Sequence, residues 1–97
     1  MSAPLTEPNA GPESREVRLK RMRIRAWRRG IKEMDLVLGG YANDELAGMS
    51  DAQLDLFEAV MGENDHDILQ WVTRQVEPPA RYADMIADLG RRAAQAQ

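Results

Sequence analysis

Residues 49–62 read Met49-Ser50-Asp51-Ala52-Gln53-Leu54-Asp55-Leu56-Phe57-Glu58-Ala59-Val60-Met61-Gly62. Both ends of a helix are written into this stretch. Ser50 and Gln53 have the spacing of a capping box, in which two otherwise unpaired backbone N–H groups are satisfied reciprocally. Met49 and Leu54 stand as a hydrophobic staple across that cap. Leu54, Phe57, Val60 and Met61 then recur at helical spacing, and Gly62 stops the helix.

The flanking segments carry the same period. A first helix is predicted from about Arg15 to Arg28, with Ser14 as its N-cap. Val17, Ile24 and Trp27 form its stronger apolar side, and Leu19, Met22 and Ala26 a weaker one. Gly30 suits the left-handed residue after a helix end. A second helix, about Ile31 to Leu46, places Met34, Val37, Leu38 and Tyr41 at core spacing. Gly39-Gly40 inside it marks a weak point or a close helix crossing. Past Gly62, Asn64 or Asp65 caps a fourth helix with Ile68, Leu69, Val72 and Val76 on its apolar side and Trp71 alongside, which Pro78-Pro79 ends. A fifth, about Ala80 to Leu89, packs Tyr82, Met85, Ile86 and Leu89 before a polar tail begins near Gly90.

No strand-like alternation occurs, so the fold class is all-α, a compact bundle of about five short helices over residues 15–90. Residues 1–14 hold three of the five prolines and too little apolar surface to offset ordering entropy, so they are expected to be a disordered tail. Residues 91–97 are expected to be a flexible C-terminal tail.

The chain has 97 residues, no cysteine and one histidine. A domain of this size buries only about 60–65% of its unfolded surface, which argues against a large cleft. Without cysteine there is no disulfide framework, thiolate metal site or cysteine nucleophile. The longest apolar run, around Leu36 to Ala42, is far shorter than a membrane span. Residues 1–14 lack the order of a signal peptide and the arginine enrichment of a transit peptide. The expectation is a bacterial, cytoplasmic protein with no membrane insertion.

A net charge of −3 conceals a dipole. Residues 15–33 carry nine basic and two acidic side chains, and residues 34–77 carry ten acidic and one basic. Nucleic acid, an acidic membrane or an acidic protein surface could answer the basic third. The cations occupy nearly every azimuth of the first helix, however, and few side chains there read base edges.

Other candidates are weaker. His66 has no cysteine partner and sits among Glu63, Asn64, Asp65 and Asp67, a segment that reads as a helix entry. That acidic run lacks the regular spacing of a calcium loop. Gly39-Gly40 follows no strand and is no dinucleotide fingerprint. No nucleophile–base pair is evident, and the protein is not expected to be an enzyme. The turn Arg28-Arg29-Gly30-Ile31-Lys32-Glu33 is more informative. Each residue suits a helix junction on stability grounds alone. The same turn also permits docking, with a bare glycine backbone between a forked guanidinium and a carboxylate.

From about Arg18 to Leu89 the sequence resembles the SdhE family, also called succinate dehydrogenase assembly factor 2 or flavinylation factors. The signature Arg-Gly-x-x-Glu stands as Arg29-Gly30-Ile31-Lys32-Glu33. It continues as Met34-Asp35-Leu36-Val37-Leu38-Gly39, Leu46-Ala47-Gly48-Met49-Ser50-Asp51 and Asp65-His66-Asp67-Ile68-Leu69-Gln70-Trp71, with the Pro78-Pro79 break following. Two positions depart from the family pattern. Gly62 stands where an acidic residue is frequent, with Glu63 one position later, and His66 stands where proline is common.

The resemblance implies an assembly chaperone. Such proteins bind the flavoprotein subunit of succinate dehydrogenase, and of related fumarate reductases, and promote covalent attachment of FAD to a histidine of that subunit. It implies that FAD is the partner's cofactor, with none bound stably by this chain, and that the free chain is a monomer binding no nucleic acid. By match to the motif, Arg29, Gly30 and Glu33 are assigned to partner binding, with Lys32 and Arg25 as neighbours and Asp65 and Asp67 further out. The alternative is a small basic-helix nucleic-acid-binding or regulatory module.

Overall fold

The computed structural model describes residues 13–95. The tail expected over residues 1–14 therefore lies outside the described residues except at Glu13 and Ser14. Five α-helices run through the described residues: α1 (Arg15–Trp27), α2 (Lys32–Glu45), α3 (Asp51–Met61), α4 (Asp65–Val72) and α5 (Ala83–Gln95). A 3₁₀ turn, Leu46–Gly48, links α2 to α3, and another, Ala80–Tyr82, leads into α5. The all-α class is as the periodicity predicts.

The cap of α3 forms as the sequence prescribes. The Gln53 N–H donates to the Ser50 hydroxyl at 3.2 Å, and the Ser50 N–H donates to the Gln53 side-chain oxygen at 2.9 Å. Leu54, Phe57, Val60 and Met61 are all buried. Ser14 likewise caps α1, accepting the Val17 N–H at 3.1 Å.

The register of α1 is the reverse of the expected one. Met22 and Ala26 are fully buried, whereas Val17, Ile24 and Trp27 are 54%, 45% and 40% exposed. Arginine stems explain the reversal. Arg15, Arg18 and Arg21 flank the buried face, where aliphatic stems can cover apolar surface while the charged heads reach α3. Counting apolar residues alone assigns that face to solvent.

The two glycines inside α2 differ. Gly39 is buried beneath the Trp27 indole, and a Cβ there would collide with the ring. Gly40 faces open space. The close crossing expected at this pair thus belongs to Gly39.

Two helix ends fall elsewhere than predicted. α4 stops at Val72 rather than reaching Pro78. Arg74 turns left-handed (φ 65°), its N–H donating to the Trp71 carbonyl at 3.2 Å, and the Gln75 N–H donates to the Gln70 carbonyl at 2.8 Å. This is the pairing of a Schellman cap. Val76, expected in the core, is instead 46% exposed. α5 continues beyond Gly90 to Gln95, so residues 91–95 are helix where a flexible tail was expected. Arg92 explains the extension, because it donates to Asp44 at 2.7 Å and lies over the Tyr41 ring.

Candidate functional site

Between α1 and α2 the chain turns through Arg28, Arg29, Gly30 and Ile31. Gly30 is exposed at φ +90°, and a Cβ would meet nothing within 4 Å. Glycine is required here by backbone conformation, since an L side chain at positive φ costs roughly 1–2 kcal/mol. Open space above it leaves room for another molecule.

Arg29 does not point at solvent. Its side chain is 9% exposed. Nε and Nη2 donate to one oxygen of Asp65 at 2.9 and 2.6 Å, and Nη2 also donates to the Met61 carbonyl at 2.7 Å. Its backbone N–H donates to Asp35 at 2.7 Å. Two residues expected to hold a partner, Arg29 and Asp65, hold each other. Together they clamp the α1–α2 corner to the start of α4.

The remaining candidates surround that clamp. Gly30, Lys32 and Glu33 are exposed on the corner and the first turn of α2, and Asp67 is exposed on the first turn of α4. Arg25 is exposed on α1, and a Cβ on Gly62 would lie 3.8 Å from its guanidinium. None of Arg25, Lys32, Glu33 and Asp67 forms an ion pair among the described residues.

Sequence reasoning missed a neighbouring feature. Glu33 lines a groove of about 220 Å³ with Leu36, Val37, Leu69, Val72 and Ala93. Three helices distant in sequence build it, so no local pattern could disclose it. The available signal was Leu36, an apolar residue out of phase with the buried Met34, Leu38 and Tyr41, and more than half exposed.

Much of the basic third is spent within the molecule. Arg15 donates to Asp51 and to the Met49 carbonyl, Arg18 to Asp55 and Glu58, and Arg21 to Glu58 and Glu13. The Arg21 hydrogen bond is the main influence holding the Glu58 carboxyl below its usual range; burial opposes it and Arg18 assists. These bonds leave three of the cations that first suggested a polyanion already occupied by carboxylates.

Glu63, beside Gly62, accepts the Tyr82 hydroxyl at 2.7 Å. Burial, and then this carboxylate, push the Tyr82 phenol above its usual range. His66 is exposed, its backbone N–H donating to its helix cap Asn64 at 2.8 Å. Among the described residues, no three histidine, aspartate or glutamate side chains could hold a metal together. No helix there is long and apolar enough to cross a membrane.

A family model described as the flavinator of succinate dehydrogenase matches residues 20–93. The mitochondrial succinate dehydrogenase assembly factor 2 of Mycosarcoma maydis is 35% identical over 91 residues, covering 94% of this chain and 38% of that protein. Its namesake in Meyerozyma guilliermondii is 39% identical over 75 residues, covering 74% of this chain and 56% of that protein. A third, from Cryptococcus neoformans, is 35% identical over 81 residues, covering 81% and 46%. The chain spans about half the length of these relatives. Their names correct one expectation. These relatives are mitochondrial proteins of fungi, which conflicts with a bacterial cytoplasmic location.

Proposed function

This chain belongs to the succinate dehydrogenase flavinator family, and from that membership we propose that it is an assembly factor that binds the flavoprotein subunit and promotes covalent attachment of FAD to it. The observation that carries the reading is the corner itself. Gly30 offers open backbone and Glu33 a carboxylate without an ion pair among the described residues, while the Arg29–Asp65 clamp holds both in place from behind.

In this reading the flavin stays in the partner, and the bond to it forms on a histidine of the partner. The small chain contributes position, and holding reacting groups in a productive arrangement is itself a large rate effect. Gly30, Lys32 and Glu33 make the contact, Arg25 and Asp67 flank it, and Arg29 and Asp65 are positioning residues. The free chain is a monomer, and fumarate reductase flavoproteins of the same chemistry are further clients.

The test is deletion of the gene followed by in-gel flavin fluorescence of the succinate dehydrogenase flavoprotein. Covalent flavin should be lost and restored by this chain. Undiminished fluorescence in the deletion strain would overturn the reading. A fumarate reductase flavoprotein assayed in parallel tests the wider client range.

A further inference from the structure

α1 presents two faces of opposite character. On the inner flank, Arg15, Arg18 and Arg21 are bonded to carboxylates of α3 and its neighbours. On the outer face, Val17, Ile24 and Trp27 follow one another at helical spacing, exposed. They are three of the five large hydrophobic residues exposed among the described residues. Lys20 lies on the same face one turn from Val17, Arg28 follows as the C-cap one turn from Ile24, and neither forms an ion pair among the described residues. Glu16 is the acidic side chain of that helix, at its first turn. A stripe with the spacing of a core face that the core does not use is a mark of an interaction surface.

We propose that the outer face of α1 is a second docking surface for the flavoprotein partner, seating an acidic surface segment of that protein that also carries apolar side chains. The proposal rests on the function proposed above. Two further observations carry it. The stripe ends at Trp27 and Arg28, directly before the Gly30 corner, so a partner seated on the corner would extend along α1. Trp27 is already ordered: its ring lies on Gly39 and its Nε1 donates to Asn43 at 3.3 Å. A fixed aromatic platform loses little entropy on binding.

The same observations disfavour other occupants. In a symmetric pair of copies, residue i of one meets residue j of the other and the reverse. Such a pairing would bring the Lys20 and Arg28 faces of two copies against each other. For a bilayer, the one large aromatic lies flat against the bundle instead of projecting. Charge complementarity points to an acidic protein surface.

Calorimetric titration of the full chain into the apo flavoprotein subunit, at low and moderate salt, tests this. Val17→Ser/Ile24→Ser replaces half-exposed apolar groups outside the buried core and should keep near-wild-type melting while weakening binding about tenfold. Lys20→Glu/Arg28→Glu should weaken binding further and flatten its salt dependence. Wild-type affinity in both variants would overturn the proposal while leaving the proposed function intact. Failure of the wild-type chain to bind would overturn that function and the proposal with it. If the substitutions instead abolish co-sedimentation with phosphatidylglycerol–phosphatidylcholine vesicles, or a dimer of the free chain, the face serves a membrane or a second copy and the proposal falls.

Discussion

Arg29 and Asp65, separated by 36 positions in sequence, meet at 2.6 Å and so tie the α1–α2 corner to the head of α4. The motif arginine faces inward, and its neighbours Gly30 and Glu33 face out. Under the proposed function the clamp serves stability and the exposed corner serves docking, and the two roles can be measured separately.

Asp65→Ala should leave a mostly buried guanidinium without its carboxylate. Loss of about 2 kcal/mol of unfolding free energy is expected, since charged hydrogen bonds in partly buried sites are worth about that much. Urea unfolding of the two proteins measures it. A midpoint equal to wild type would show that the clamp contributes nothing.

Gly30→Ala meets no atom, so only backbone strain opposes it. About 1 kcal/mol of stability should be lost and the helical circular-dichroism spectrum kept. Gly30→Arg adds bulk on the open side and should abolish support of flavinylation in a folded protein. An unfolded spectrum would make the glycine purely structural.

Glu33→Ala removes an exposed carboxylate without an ion pair among the described residues. Melting should stay within the small range of surface substitutions, about 0.5 kcal/mol, while capture of the flavoprotein in pull-downs falls sharply. Undiminished capture would remove Glu33 from the docking surface.

Arg74 occupies the left-handed position of a Schellman cap, where glycine is the unstrained residue. Arg74→Gly should stabilise the chain by up to about 1 kcal/mol, the relieved strain being partly offset by a more flexible unfolded chain. Thermal melting that falls instead of rising would show that the arginine side chain matters more than its φ.

Acid should unfold the protein partly through Glu58. Its carboxyl is held lower in the folded state than in the unfolded one, chiefly by Arg21. That contribution is complete above the unfolded carboxylate value of about 4.3 and is lost as pH falls through the folded value. Glu58→Gln should therefore narrow its deficit against wild type in melts run from pH 6 down to pH 3. A deficit that does not change with pH would mean that this carboxylate is not responsible.

Local chemistry was legible where a residue of characteristic type has its partner within one helical turn. The Ser50–Gln53 box, the Ser14 and Asn64 caps and the buried faces of α3 and α5 are all of this kind. So is the need for glycine at position 30. The end of α4 was misplaced because Pro78 is an obvious stop and a Schellman cap around a left-handed arginine has no sequence signal. α5 was cut short because Arg92 reads as a tail cation until Asp44 and Tyr41 lie beside it.

The candidate site divides in the same way. The sequence by itself marked the Arg29–Glu33 corner, since turn and motif occupy consecutive residues. Only the tertiary structure decided that Arg29 serves the fold through Asp65, that Arg15, Arg18 and Arg21 are taken by α3, and that the Val17–Trp27 stripe lies outside. The reason is physical: a helix carries its side chains on all azimuths, and which azimuth is buried depends on partners brought together from far along the chain. Long arginine stems obscure that choice, because they cover apolar surface while their heads seek carboxylates.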